Sequence, residues 1–268
     1  MQPLQFFDSH CHVDGPEFDL DRDVAMARAR EAGVRAMIAI GAVGDISSAH
    51  RAVALATAHP NVWATVATHP HDVAAMTDAW WNTLRQLAAH PRVVAVGETG
   101  LDFYYDHAPR GLQHAAFVRF IELAREVDKA VVCHIRDAHA EAQAILRAHA
   151  HGLRVIIHCF TGSPDDARIY AEAGHYVSFS GIATYKTAGD IRAALAMVPH
   201  DQILLETDCP YLAPVPMRGR RNEPSYLVHT AAVVAAELGV TPQYLSQKTW
   251  ANTLAAFSIA DAPALDSV

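Results

Sequence analysis

The sequence has no closely spaced pair of cysteines, no long apolar run and no excess of basic residues. Its four cysteines lie far apart in the chain, so neither a zinc knuckle nor a disulfide framework is predicted. The first residues lack a basic segment followed by an apolar one, and no apolar run reaches the roughly 18 residues that a membrane helix needs. We therefore expect a cytoplasmic protein that does not enter a membrane.

Acidic side chains outnumber basic ones. The chain of 268 residues holds 29 Asp and Glu against 21 Lys and Arg, which gives a formal net charge of −8. This balance argues against a protein that holds nucleic acid through a broad basic surface, so a phosphate-bearing substrate would have to be captured locally. Bound metal ions could reverse the sign of the field inside a pocket even in an acidic protein.

Short apolar or β-branched runs alternate with longer alanine-rich segments of helical spacing. The runs predict eight strands, at residues 6–13, 34–41, 62–69, 93–97, 130–134, 155–160, 176–180 and 203–207. The segments predict helices between them, for example at 21–32, 46–58, 111–127 and 138–150, and two more follow at 226–238 and 242–257.

Strict alternation of strand and helix implies a parallel sheet covered by helices. A closed barrel and an open doubly wound sheet both satisfy that pattern. Eight units in about 210 residues, without a glycine-rich dinucleotide loop after the first strand, favour the barrel. We predict an α/β protein of the (β/α)8 TIM-type, with one domain at 1–260 and a short tail at 261–268.

Polar residues capable of chemistry gather where the predicted strands end. In a (β/α)8 barrel these ends meet on one rim, the face that carries active sites. Side chains alternate across a strand, so His10 and His12 point to the same side and can bind one ion together. Imidazole and carboxylate ligands suit zinc, manganese, iron or cobalt, whereas magnesium prefers oxygen ligands. The candidate metal ligands are His10, His12, Glu98, His134, His158 and Asp208.

Six candidates exceed the three protein ligands of a typical catalytic zinc site. Two ions bridged by one carboxylate would use them all. Each residue also has a structural interpretation: His134 can be a hydrogen-bonded core residue, Glu98 a buried ion-pair partner, and Asp208 a cap of the next turn. Because six such residues share one rim, we favour the metal site.

The residues next to the candidate ligands test the alternation of side chains. If the ligands face the pocket, the adjacent cysteines are predicted to face the helix layer, where each acts as a small buried apolar residue. Asp8 and Glu206 precede ligands by two residues and therefore face inward, either to orient imidazoles or to make ordinary buried hydrogen bonds. The cysteines concerned are Cys11, Cys133, Cys159 and Cys209.

Ordered sequence blocks resemble those of the TatD family of metal-dependent deoxyribonucleases, within the amidohydrolase-like barrels. They run nearly from end to end: DSHCH at 8–12, THPH at 68–71, GETGLD at 97–102, HIRDA at 134–138, IHCFTG at 157–162, SFSG at 178–181, LETDCPYL at 205–212 and APVPMRGRRNEP at 213–224. Departures are small, since Thr99 stands where isoleucine is common and the block at 252–257 lacks an arginine often seen there.

The resemblance implies a binuclear metal centre and a nuclease activity. It assigns His10, His12, Glu98 and Asp208 to one divalent ion, and Glu98, His134 and His158 to the other, with Glu98 as the bridge. The ions would be Mg²⁺, Mn²⁺ or Zn²⁺. The implied reaction is 3′–5′ exonucleolytic hydrolysis of single-stranded DNA, which would be bound transiently as substrate. We expect a monomer.

Asp208 and Glu98 are the predicted catalytic residues. A metal ion lowers the pKa of water towards neutrality, and Asp208 is expected to accept the proton of the water that attacks phosphorus. His69, His71, Arg136 and Arg218 are candidates for phosphate contacts, because guanidinium groups match phosphate oxygens. A solvated loop is the alternative for Arg218, Arg220 and Arg221. Aromatic residues near the rim could stack bases or pack the barrel edge: Phe103, Tyr104, Tyr105, Phe160 and Tyr185.

Two rival functions fit the same residues. One is hydrolysis of a small ester, lactone or cyclic amide by the same activation of water. Some barrel relatives of that kind bridge their metals with a carbamylated lysine, but Lys129, Lys186 and Lys248 are the only lysines, and none ends a predicted strand. The other rival is a non-catalytic metal-binding scaffold that presents the rim to a partner.

Overall fold

The computed structural model describes residues 4–260, which form an eight-stranded parallel barrel surrounded by helices. Residues 1–3 and the predicted tail at 261–268 lie outside the described residues. The strands are β1 (Phe6–Cys11), β2 (Val34–Gly41), β3 (Val62–Val66), β4 (Val93–Asp102), β5 (Ala130–Arg136), β6 (Val155–Ile157), β7 (Tyr176–Phe179) and β8 (Ile203–Leu205). They pair in the order of the sequence, each parallel to the next. The predicted (β/α)8 fold is confirmed.

A helix follows each of the eight strands, and a further helix ends the described chain. The helices are α1 (Arg22–Glu31), α2 (Ile46–Ala58), α3 (Asp78–Ala88), α4 (Arg110–Glu126), α5 (His139–His149), α6 (Pro164–Glu172), α7 (Gly189–Leu195), α8 (Leu227–Glu237) and α9 (Pro242–Ala256). None of the helices in residues 4–260 is long and apolar enough to cross a membrane.

Local sequence signals fix where several helices begin. The side chains of Asp45, Thr77 and Thr241 each accept a hydrogen bond from a backbone N–H in the first turn of α2, α3 and α9, respectively. Ser163 and Asp166 form a reciprocal capping box at the start of α6. These caps satisfy donors that have no partner inside the helix, which explains why the predicted starts of α2 and α9 agree with the structure.

Backbone hydrogen bonds close the barrel between β8 and β1, beyond the end of β8. Asp208 N donates to His10 O at 2.9 Å, and His12 N donates to Cys209 O at 2.8 Å. The buried Asp8 carboxylate adds two bonds, accepting from Thr207 N at 2.9 Å and Thr207 Oγ1 at 2.6 Å. The segments that carry the candidate ligands are therefore also the segments that join the first strand to the last.

Seven of the eight predicted strand ends differ from the structure, and three of these differences affect the candidate site. The sixth and eighth strands stop at Ile157 and Leu205, before the polar residues, whereas β4 continues to Asp102. The backbone adopts positive φ at Cys159 (44°) and Asp208 (54°), which is incompatible with an extended strand. β4 is longer because its last residues pair with β5, where Asp102 lies beside Arg136.

Candidate metal centre

Glu98 lies at the centre of the candidate site, buried on β4 with 2% of its surface exposed. The β4–β5 pairing is irregular between Val96 and Thr99, a local bulge of the kind that redirects a side chain. Gly100 permits the two strands to approach closely, because a Cβ there would lie 2.1 Å from His134 O. The bulge and the close approach bring Glu98 among histidines from four strands or strand ends.

One oxygen of the Glu98 carboxylate faces the first group of candidate ligands. Glu98 Oε1 lies 3.8 Å from His10 Nε2 and 3.5 Å from His12 Nε2. Asp208 Oδ1 lies 3.6 and 3.4 Å from the same two nitrogens. His10, His12 and Asp208 offer ligand atoms within 4.8 Å of one another, and Glu98 Oε1 lies beside both imidazoles, so these residues can hold one ion.

The other oxygen of Glu98, Oε2, faces a second group of candidate ligands, which contains His134 and His158. Glu98 Oε2 lies 2.8 Å from His158 Nε2 and 3.5 Å from His134 Nδ1. His69 Nε2 joins this group at 3.3 Å from His134 Nδ1 and 4.0 Å from Glu98 Oε2. The structure therefore brings together all six residues that the sequence proposes as ligands, and it adds a third imidazole that the sequence proposes as a phosphate contact.

Buried polar atoms without hydrogen-bond partners support an ion at the first group. His10 is 1% exposed, and neither of its ring nitrogens has a hydrogen-bond partner within the described residues. An unsatisfied buried polar atom costs about 1–3 kcal/mol, which coordination to an ion would offset. The donor set of imidazoles and carboxylates suits a divalent transition metal.

The electrostatics of the site favour a charged Glu98. Burial alone would raise the pKa of this carboxyl, but the neighbouring imidazoles, His158 first among them, outweigh it and hold the pKa well below its usual range. Burial lowers the pKa of His10 well below its ordinary value, and the neighbouring His158 adds to the effect. Burial also lowers the pKa of His12, His134 and His158, but hydrogen bonds to and charges of neighbouring carboxylates outweigh it and raise the pKa of all three. A metal ion requires neutral imidazoles, so its binding would displace protons from these rings.

Asp102 is the residue that sequence reasoning missed. It is fully buried, and its Oδ2 accepts hydrogen bonds from His134 Nε2 at 3.0 Å and His71 Nε2 at 2.8 Å. The bond to Nε2 leaves His134 Nδ1 free to face Glu98. A signal was present, because Asp102 follows Glu98 by four residues and side chains at even spacing share one side of a strand.

Glu206 and Asp8 take the two roles that the sequence left open. Glu206 Oε1 lies 3.4 Å from His158 Nδ1 and accepts a hydrogen bond from Cys159 N at 2.7 Å, so it stands behind an imidazole of the second group. The side chain of Asp8 instead bonds to Thr207, as described for the barrel closure. The first contact can orient a ligand, and the second is an ordinary buried hydrogen bond.

Three of the four cysteines fit the alternation argument, and one contradicts it. Cys11, Cys133 and Cys209 are fully buried and do not line the central cavity in the described part of the chain. Cys159 lines that cavity, and its Sγ lies 3.3 Å from Ser180 Oγ. The prediction for Cys159 was wrong because β6 ends at Ile157, and positive φ at Cys159 breaks the alternation.

The central cavity has a volume of about 400 Å³. Its lining includes His69, His71 and Arg136, together with ligand candidates from both groups. Arg218 is not among the described residues that line it; this exposed side chain lies over the Tyr185 ring at 4.0 Å. Arg221 is held by Asp21 through bonds of 2.8 and 2.7 Å, which anchors the loop after β8.

We expect Asp102→Asn to weaken metal binding at the second group about 10- to 100-fold, because the His134 ring loses the carboxylate that fixes its orientation. Calorimetric titration of the metal-free protein with Zn²⁺ or Mn²⁺ measures the change. Asp106→Asn is the matched control, since Asp106 lies in the following loop and its exposed side chain pairs with Arg110. Unchanged affinity for both ions in Asp102→Asn would show that Asp102 does not orient His134.

Comparisons with known proteins agree with this arrangement. The family model described as TatD related DNase matches residues 7–258. YcfH of Escherichia coli K12, called an uncharacterized metal-dependent hydrolase, is 38% identical, covering 97% of this chain and 98% of YcfH. The 3′-5′ ssDNA/RNA exonuclease TatD of Cronobacter sakazakii is 37% identical, covering 94% of this chain and 97% of that protein.

A solved structure of a TatD homologue is also similar to this chain. YjjV, a TatD homologue from Escherichia coli K12, superposes with a TM-score of 0.89 at 29% identity, covering 95% of this chain and 98% of YjjV. The chain therefore belongs to the TatD related DNase family of metal-dependent hydrolases.

Proposed function

We propose that this chain is a 3′–5′ exonuclease that hydrolyses phosphodiester bonds of single-stranded DNA with two divalent ions. The observation that carries the proposal is the division of the Glu98 carboxylate, with Oε1 towards His10 and His12 and Oε2 towards His134 and His158. One carboxylate placed between two sets of donors is the arrangement expected of a bridged pair of ions. The polarity and the substrate follow the names of relatives such as the exonuclease of Cronobacter sakazakii.

In this proposal, His10, His12, Asp208 and Glu98 would hold the first ion, and Glu98, His134 and His158 would hold the second. His69 is close enough to the second group to serve as a further donor. When bound, Mg²⁺, Mn²⁺ or Zn²⁺ would lower the pKa of water and offset negative charge on phosphate oxygens.

Side chains of the protein carry out proton transfer and substrate binding in the proposed reaction. Asp208, whose side chain is 12% exposed, accepts the proton of the attacking water at the mouth of the first group. Arg136 lines the cavity and binds a phosphate oxygen of the substrate through its guanidinium group. His71, held by Asp102, provides a second polar contact on the same side. The protein acts as a monomer in the cytoplasm in this proposal.

The test is the hydrolysis of a single-stranded oligonucleotide labelled at its 5′ end, with Mg²⁺, Mn²⁺ or Zn²⁺ added separately. Removal of nucleotides from the 3′ end gives a ladder of shortened labelled products, and a chelator should abolish it. A label at the 3′ end supplies the matched control, because a 3′–5′ enzyme releases it in the first turnover. Intact DNA under every metal condition would refute the nuclease proposal.

A small-molecule substrate is the second candidate, because a cavity of about 400 Å³ is within the range of small-ligand sites. No lysine in the described chain lines this cavity, which separates it from barrels bridged by a carbamylated lysine. One metal-loaded preparation should be assayed on DNA and on a panel of lactones and esters. Turnover of a lactone without release of nucleotides would favour this alternative. A purely structural scaffold is disfavoured by the hydrolase family.

A further inference from the structure

Two neighbouring tyrosines project from the loop that joins β4 to α4, beside the central cavity. Tyr104 is 58% exposed and Tyr105 is 50% exposed, although both are large side chains with much apolar surface. Tyr105 also lines the cavity that contains the candidate ligands. An exposed aromatic pair that adjoins a reaction site is typical of a contact surface for a ligand.

Arg136 joins these tyrosines to form one surface, which we call the tyrosine platform (Tyr104, Tyr105 and Arg136). The Arg136 guanidinium lies 4.2 Å from the centre of the Tyr104 ring and 4.8 Å from that of Tyr105. The two rings meet edge to face at 4.9 Å, and His107 lies nearly parallel to Tyr105 at 5.5 Å. The platform therefore combines aromatic faces with one positive charge.

The other aromatic residues that the sequence suggested do not offer comparable surfaces. Phe160 is only 2% exposed. Tyr185 is only partly exposed, and it donates its hydroxyl hydrogen to Ala213 O. Phe103 is also only partly exposed, whereas Tyr104 and Tyr105 are both exposed. The structure thus selects Tyr104 and Tyr105 from the five residues proposed from sequence.

A single carboxylate holds the platform in place relative to the metal centre. Asp102 Oδ1 accepts hydrogen bonds from the backbone N–H groups of Tyr104, at 3.1 Å, and Tyr105, at 2.8 Å. Its other oxygen accepts from His134, a proposed ligand of the second ion. A surface fixed in this way loses little conformational freedom when a ligand binds, so more of the contact energy contributes to affinity.

We propose that the tyrosine platform stacks an unpaired nucleobase of the nucleotide next to the phosphate under attack. This inference rests on the proposed nuclease function. Stacking on aromatic rings needs a free base face, which single strands offer and paired, stacked duplex bases do not. A net charge of −8 argues against broad electrostatic attraction of DNA, so local contacts are needed, and stacking on the platform adds to the phosphate contact of Arg136. The platform accounts for a preference for single strands.

Tyr105→Leu, Tyr104→Leu and the double variant test this proposal, because leucine keeps apolar bulk but removes the ring. We expect about a tenfold increase in the Kd for a fluorescent single-stranded oligonucleotide from one substitution, and a larger increase from both. The dissociation constant is measured by fluorescence anisotropy with chelator-treated protein, so that no hydrolysis occurs. Tyr244→Leu is the control: Tyr244 is 39% exposed and contacts His200, which precedes β8 at the opposite end of the barrel.

Abasic oligonucleotides separate stacking from general damage to the site. The unmodified protein should bind about tenfold more weakly when one abasic residue replaces the nucleotide that contacts the platform, and the double variant should show no such difference. A double variant with unchanged Kd, or one that still distinguishes the abasic strand, would overturn the proposal. Platform-dependent binding, combined with intact DNA under every metal condition of the hydrolysis assay, would refute the nuclease function and leave only the binding role of the platform.

Discussion

Glu98→Gln is expected to reduce hydrolysis by roughly 10³-fold or more and to remove metal from both groups of ligands. The substitution keeps the size of the side chain but replaces the charged carboxylate, whose two oxygens face the two groups, with a neutral amide. Both ions lose a shared negative ligand at once. Mass spectrometry of dialysed protein measures the metal content, and the oligonucleotide assay measures the activity.

Glu126→Gln is the matched control for this experiment. Glu126 is exposed at the end of α4 and pairs with Arg85 at 2.8 Å on the protein surface, so its substitution should change neither quantity. Circular dichroism should first establish that both variants are folded. Two bound ions in folded Glu98→Gln would contradict the bridging role.

Asp208→Asn is the second substitution with a large expected effect. Asp208 belongs only to the first group, so this variant should retain one ion and lose the other. Loss of the proton acceptor together with the first ion should lower kcat by about 10²- to 10⁴-fold. Metal titration followed by the kinetic assay checks both results on one preparation.

The control for Asp208 is Asp201→Asn. Asp201 is exposed and precedes β8, at the end of that strand opposite to the site. If Asp208→Asn retained two ions but had low activity, Asp208 would act in proton transfer alone. If the variant retained one ion and nearly full activity, Asp208 would have no role in catalysis, and an ion at the second group would be sufficient for hydrolysis.

The two variants together test how the ligands are divided. A common carboxylate predicts that Glu98→Gln empties both groups, whereas Asp208→Asn empties one. If each substitution released the same single ion, Glu98 would serve only the first group. A loss of both ions in each variant would mean that the two groups bind metal cooperatively, and Glu98 could then not be distinguished from an ordinary ligand.

The sequence alone was sufficient for the order of elements and for the location of the site. Periodicity of apolar residues is a local property, so the alternation of strand and helix could be read without any knowledge of tertiary contacts. The carboxyl ends of parallel strands meet on one rim in any such barrel. That rule alone predicts that five of the candidate ligands lie close together: His10, Glu98, His134, His158 and Asp208.

Exact strand ends and the direction of single side chains were less accessible. Alternation predicts direction only while a strand remains regular, and it failed at Cys159, where φ is positive. It also could not anticipate the irregular pairing near Glu98, which depends on how closely β4 approaches β5. The bulge and the turn are decided by contacts between strands that are remote in the sequence.

The sequence by itself determined a (β/α)8 barrel with histidines and carboxylates at its rim. Only the tertiary structure decided that Glu98 divides its oxygens between two groups, that His69 joins the second, and that Asp102 links His134 to Tyr104 and Tyr105. The physical reason is that sequence patterns fix the face of a strand on which a side chain lies. Distances between strands depend on register, bulges and backbone turns, which arise only when the barrel closes.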